Sequence, residues 1–227
     1  MTDKGCTGTR ARQESPMIRM FAIAAAAIVV AGLGAMYFAG FGASDPEDAF
    51  AQCRASNVAG GAGQIGGPFE LVSETGETVT EEDVIDRPTL IYFGYTFCPD
   101  VCPLDAARNA AAVDLLEERG YMVRPVFISV DPARDTPEVL AEFTDYLHPR
   151  MLGLTGSADQ VRAASKAYRT YYQAQEPAEG AEEFYLVDHS TMSYLSLPEH
   201  GFVEFFRRDV TPEQMADRVA CFADAAS

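Results

Sequence analysis

A continuous apolar run, Leu90-Ile91-Tyr92-Phe93, passes through Gly94-Tyr95-Thr96-Phe97-Cys98-Pro99-Asp100-Val101-Cys102-Pro103 into Leu104 to Arg119, where apolar residues recur at helical spacing. The run reads as a strand covered on both faces, as in a parallel-type sheet. The segment after it reads as an amphipathic helix. A chain that moves directly from a buried strand into a helix is constrained to α/β architectures. Two thiols stand at the handover. A helix N-terminus carries partial positive charge and unpaired N–H groups, which favour thiolate over thiol, so cysteines that react or bind a soft metal belong at such a place.

The remaining elements extend this pattern. Phe69 to Val72 and Glu77 to Thr80 flank a turn at Glu74-Thr75-Gly76 and read as a hairpin, and Glu81-Glu82-Asp83 starts a short helical turn. Val123 to Val130 is a second core strand, so strand, helix and strand form a right-handed crossover. Thr136 and Pro137 supply an N-cap and a first helical residue for a helix running to about Leu147. Met151 to Thr155 reads as a strand, Ser157 to Tyr172 as a helix, and the acidic stretch 173–183 as an exposed loop. Phe184 to Val187, Thr191 to Leu197 and Phe202 to Phe206 read as strands, and Thr211-Pro212 opens a last helix ending near Cys221. No internal repeat is present. This order is that of a thioredoxin-like α/β domain with an N-terminal hairpin and an inserted helix, a fold that does not by itself define a function.

Before that domain lies a different kind of segment. From Met17 to Gly42 the chain carries one charge, Arg19, and offers more than the roughly 20 apolar residues that span a bilayer. It reads as a single transmembrane helix or an uncleaved signal anchor. A cleavable signal peptide has an apolar core of about 7–15 residues, and Gly40-Phe41-Gly42 is a poor cleavage site. Lys4, Arg10, Arg12 and Arg19 precede the span, whereas Asp45, Glu47 and Asp48 follow it. The positive-inside rule then makes 1–16 a cytoplasmic tail, 43–67 an Ala- and Gly-rich tether, and 68–227 a domain in the periplasm of a bacterium, held at the inner membrane. A mitochondrial presequence is longer, richer in Arg and Ser and poorer in acids.

Lys and Arg number 17 against 34 Asp and Glu, a formal net charge of −17, and the surplus of acids lies beyond the span. Such a surface repels phosphate backbones, which argues against nucleic-acid binding. It suits partners with a basic face, and it equally serves solubility.

Cysteine usage follows the same division. Cys6 falls in the tail, Cys53 and Cys221 stand at the two ends of the exported part, and Cys98 and Cys102 lie in the motif. In an oxidising compartment the two terminal cysteines are candidates for a structural disulfide. Cys98 and Cys102 are separated by three residues rather than the two of a thioredoxin redox pair. Helical positions i and i+4 share a face, although Pro103 disfavours the α region at Cys102 and is best placed as the first helical residue. Two thiolates select soft ions, Cu(I) above all; a plain disulfide is the competing reading of such a pair. Of the three histidines, His148 and His200 sit in turns and read as polar surface residues, whereas His189 leaves the end of an apolar strand, from which a loop can bring it to the helix N-terminus.

Three segments, GYTFCPDVCP, SVDPARDTPEVL and YLVDHSTMSYL, in this order and at these separations, resemble the SCO/SenC family of membrane-tethered copper-binding assembly proteins, over about Gly66 to Ala223. The resemblance implies a thioredoxin-like fold in which Cys98, Cys102 and His189 bind one copper ion, Cu(I) and also Cu(II). It implies delivery to, or reduction of, the binuclear copper site in subunit II of cytochrome c oxidase, with another periplasmic copper chaperone as a further partner. Asp188 matches the family's Asp before the histidine and is expected to orient it or to dock a partner; Asp100 and Asp131 also fall in the motifs. Cys53 and Cys221 lie outside them. The rival reading is a periplasmic thiol-disulfide oxidoreductase using Cys98 and Cys102 as attacking and resolving thiols. Against it, no proline occurs from Ala178 to Leu197, where an oxidoreductase of this fold is expected to need one.

Overall fold

A computed structural model describes residues 16–41, 49–55, 62–177, 179–181 and 183–227. The chain divides into two units, Met1–Asp48 and Ala49–Ser227. In the first, helix α1 (Pro16–Phe41) covers the stretch read as membrane-spanning, with side chains described at residues 17, 20, 21 and 23–34. Among the described residues no helix is long and apolar enough to cross a membrane. The cytoplasmic-tail assignment, with Cys6, lies outside the described residues.

The second unit begins earlier than the tether reading of 43–67 implies. Phe50 and Cys53 are buried among apolar side chains that include Phe222 and Val219, and Ile65 packs on the other side of the core. A short 3-10 turn, Ala62–Gln64, follows residues 56–61, which lie outside the described residues.

From there the chain forms β1 (Glu70–Ser73), β2 (Thr78–Thr80), α2 (Glu81–Val84), β3 (Thr89–Gly94), α3 (Val101–Glu118), β4 (Arg124–Ser129), α4 (Pro137–Leu147), β5 (Leu152–Thr155), α5 (Ala158–Ala167), β6 (Tyr172–Ala174), β7 (Val187–His189), β8 (Ser193–Leu197), β9 (Gly201–Phe206) and α6 (Pro212–Ala225). Seven strands make one sheet in the order β2-β1-β5-β4-β3-β8-β9. Strands β3, β4 and β5 are parallel neighbours at its centre, and β8 joins β3 antiparallel. Such a mixed sheet covered by helices is the thioredoxin-like arrangement expected.

All six residues of β3 are buried, which explains the continuous rather than alternating apolar pattern. Its central position carries Gly94 and the cysteine turn to one end of the sheet. Two apolar clusters hold the layers together: Ile91, Phe93, Phe127 and Leu154 belong to one, and Leu90, Leu116, Leu195 and Phe222 to the other.

Several boundaries differ from the sequence reading for identifiable reasons. Helix α3 starts at Val101 rather than Pro103, because a proline in the first helical turn gives up only an N–H that has no intrahelical partner. Helix α5 stops at Ala167 instead of continuing to Tyr172; Arg169 adopts φ +51° and the chain turns into β6. Residues 184–186 are not a strand, and β7 begins only at Val187, paired antiparallel with β6. Helix α6 runs on past Cys221 to Ala225.

Candidate metal centre

The end of β3 and the start of α3 place Cys98 and Cys102. The N-cap residue, Asp100, makes no capping bond through its side chain. Instead the backbone N–H of Cys102 donates to the Cys98 sulfur at 3.3 Å, so the sulfur occupies the role that a capping oxygen usually fills. Both cysteines are buried and neither is in a disulfide. Strand β7 ends on His189, whose Nε2 stands 3.3 Å from the Cys102 sulfur. Nδ1 donates to the Ser190 carbonyl at 2.9 Å, which leaves the Nε2 lone pair facing the thiols. The two sulfurs and the imidazole nitrogen lie within 4.8 Å of one another, the spacing of a shared soft-metal site.

The surroundings treat the two thiols differently. Burial opposes ionisation of Cys98, but hydrogen bonds from the Cys102 thiol and from backbone N–H groups of Asp100, Cys102 and Val101 outweigh it and hold the Cys98 pKa below that of an ordinary thiol. Burial pushes the Cys102 pKa well up, and the neighbouring Cys98 sulfur adds to the effect. Burial lowers the His189 pKa, so the ring is kept neutral, the form in which it can ligate. The Tyr95 and Tyr92 rings stand nearly perpendicular to the imidazole, with centroids 5.8 and 6.2 Å away.

The aspartates of the motifs take separate places. Asp131 is buried and accepts hydrogen bonds from Arg134 Nε and the Tyr185 hydroxyl. Asp188 is exposed and accepts from Gln175 Nε2 at 3.1 Å, and Asp100 is exposed at the helix start. Cys53 and Cys221 are joined by a disulfide, Cα to Cα 5.7 Å, with their own apolar cluster. The His200 and Phe50 rings stand nearly perpendicular, their centroids 5.0 Å apart. His148 is not the surface residue expected: it is buried, its Nδ1 accepts from the Arg150 N–H, and its Nε2 lies 3.3 Å from Asp114.

Sequence reading alone passed over the residues that shape the site from behind. Asp135, fully buried, accepts from the Thr96 N–H, the Thr96 hydroxyl and the Ser129 hydroxyl, and so ties the turn before Cys98 to the end of β4. The signal for it was a second acid, with Arg134 beside it, in a short loop between a core strand and a helix.

A thioredoxin-like domain that presents two free thiols and an imidazole at the end of its central strand is a soft-metal-binding variant of that fold. The profile of the SCO1/SenC family matches residues 57–224, and the chain belongs to that family. It is 56% identical over 204 residues to the protein SenC of Rhodobacter capsulatus, covering 90% of this chain and 89% of that one. The mitochondrial SCO1 homolog of Homo sapiens is 37% identical over 158 residues, 69% of this chain, and the chain spans only 52% of that longer relative. Among solved structures, Arabidopsis thaliana ScoI with copper bound matches with a TM-score of 0.66 at 41% identity, covering 70% of this chain and 99% of that one. The Bradyrhizobium japonicum ScoI structure, 35% identical with a TM-score of 0.62, also has copper bound, and BsSco is described as a member of the Sco family of cytochrome c oxidase assembly proteins.

Proposed function

We propose that this chain is a membrane-anchored copper chaperone that carries one copper ion on Cys98, Cys102 and His189 and hands it to the binuclear copper site of cytochrome c oxidase subunit II. The observation that carries the reading is the convergence of two unbonded sulfurs and one neutral imidazole nitrogen within 4.8 Å. Two thiolates and one imidazole suit Cu(I), and the nitrogen also accommodates Cu(II). Copper is cargo here, so the site must hold it and release it. The chemistry of exchange is then thiolate substitution at the metal by a partner's sulfurs.

The anchor belongs to the same proposal. The apolar stretch 17–42, with one charge, is long enough to span a bilayer, and the basic residues before it favour a cytoplasmic N-terminus with the domain in the periplasm. Asp188 and Asp100, exposed at the site's margin, are candidates to meet a basic face on the partner.

Anaerobic titration of the reduced chain with Cu(I) against a chromophoric chelator tests the reading. One copper per chain is expected. Cys98→Ser and Cys102→Ser should each abolish stoichiometric binding, and His189→Ala should weaken it or alter the Cu(II) spectrum. Unchanged binding in all three would refute the assignment.

The unequal thiols support a second reading, reduction of the target's cysteines. A Cys98 thiol with a lowered pKa beside a Cys102 thiol with a raised one is the asymmetry of an attacking and a resolving cysteine. An insulin-reduction assay separates the two: turnover without copper affinity favours the oxidoreductase.

A further inference from the structure

The donors arrive on two separate segments. Cys98 and Cys102 ride on the β3–α3 turn, and His189 rides on β7, whose partner among the described strands is the equally short β6, across three residue pairs. A two-stranded ladder of that length has little stability of its own. Val187 anchors the segment in the core, and the side chains around Arg134 add a contact between it and the cysteine turn.

Arg134, from the loop after β4, lies between them. Its guanidinium carbon is 3.6 Å from the Tyr185 ring centroid and 4.7 Å from the Phe97 ring centroid. Nε donates to Asp131 Oδ2 at 2.5 Å, and Nη1 donates to the Glu183 carbonyl at 3.2 Å. The Tyr185 hydroxyl donates to the other Asp131 oxygen at 2.7 Å. Among the described residues the buried Nη2 has no hydrogen-bond partner. Phe97 immediately precedes Cys98, Tyr185 stands four residues before His189, and the Phe97 and Phe184 rings meet at 6.0 Å. The Arg134 side chain is 17% exposed and that of Asp131 5%, so this ion pair is shielded from water and counts for more than a surface pair, although the Phe97 and Phe184 rings on its outer side are exposed.

We propose that Arg134 is a positioning residue: it ties the His189 segment to the Cys98 turn and so sets the reach of the imidazole to the sulfurs before any metal arrives. The proposal rests on the copper-site reading above. A planar guanidinium offers its face to aromatic rings while its edge bonds Asp131 and a carbonyl; a lysine ammonium offers only a point charge. The tie thus needs arginine, not merely a cation opposite Asp131.

The test compares the full-length chain in detergent, reduced and metal-free, with its Arg134→Lys and Arg134→Met variants. Amide hydrogen exchange across 184–190 should quicken by at least about tenfold in both variants while β3 and β4 keep their rates, the mark of local rather than global opening. On copper loading, both variants should still take up one ion, with Cu(I) loss to a chelator faster by about 10- to 100-fold, the usual cost of removing a group that orients a ligand. Unchanged exchange at 184–190 overturns the proposal, as does exchange that rises equally in β3 and β4. Wild-type behaviour of Arg134→Lys overturns it too, because charge alone would then suffice. So does faster exchange with wild-type copper release. A parent chain that takes up no copper refutes the chaperone reading instead, and the exchange comparison then decides the tie by itself.

Discussion

In the proposed copper site, Cys102 is the residue expected to limit uptake. Its pKa is raised, chiefly by burial, so it keeps its proton throughout the neutral range, and binding must expel that proton. Apparent affinity is therefore expected to rise by at least about tenfold per pH unit across that range. His189, with its pKa lowered by burial, competes through protonation only below its ordinary value of 6.5. Chelator competition at several pH values checks this, and a flat profile from pH 6 to 9 would contradict it. That Cys98 and Cys102 are chemically special could be read from their place after a core strand; that they differ from each other could not. The difference arises because the Cys98 sulfur accepts the Cys102 N–H at the helix start while the Cys102 sulfur lies deeper.

At the scale of elements, the end of β3 has no room to spare. A Cβ on Gly94 would meet the Tyr92 ring at 2.9 Å and the Phe127 ring at 3.0 Å, both rigid edges. Gly94→Ala should destabilise the domain by about 1–3 kcal/mol through overpacking and disturb copper binding at the adjacent turn; denaturant unfolding measures the first. Asp135 works on the same turn from the β4 side. Its burial outweighs its hydrogen bonds from Ser129 and Thr96 and raises its pKa, so the folded chain holds this proton more tightly than the unfolded chain does. Its contribution is thus most favourable below the ordinary carboxyl value of 3.8 and declines as pH rises from there through the raised value. Asp135→Ala, which strands the Thr96 N–H, should cost about 1–3 kcal/mol at neutral pH, and a variant as stable as the parent would show that the turn does not need the acid. The strands β3, β4, β8 and β9 were legible from apolar runs, and α4 from its Thr-Pro start. β6 was not, because Tyr172–Ala174 has no pattern of its own and becomes a strand only through pairing with β7.

For the whole molecule, the Cys53–Cys221 disulfide closes a sequence separation of 168 residues and packs with Phe50 and Phe222, whose rings lie 5.6 Å apart. Cys53→Ser with Cys221→Ser should lower stability by about 2–5 kcal/mol, seen as a reduced melting temperature. Copper stoichiometry should stay at one, because Cys98 and Cys102 belong to the other apolar cluster. Loss of copper binding on removal of the disulfide would mean that the clusters are coupled. The anchor is tested separately. Deleting 17–42 should release the chain from membranes, and protease added to intact spheroplasts should digest the domain of the parent chain.

The sequence alone determined the class of fold, the thioredoxin-like order of elements and the family, because these follow from local pattern: an apolar run, a helical period, and three motifs in fixed order. It marked the three candidate ligands as well, since cysteine and histidine are scarce enough to name. Tertiary structure decided what surrounds them. The tie through Arg134, the acceptor role of Asp135, the burial of His148 and the place of Phe50 in the core all depend on contacts between residues far apart in the chain, and local pattern carries no record of such contacts. Depth of burial is the same kind of quantity, and it is burial that sets the Cys102 and His189 pKa values apart from those of the free side chains.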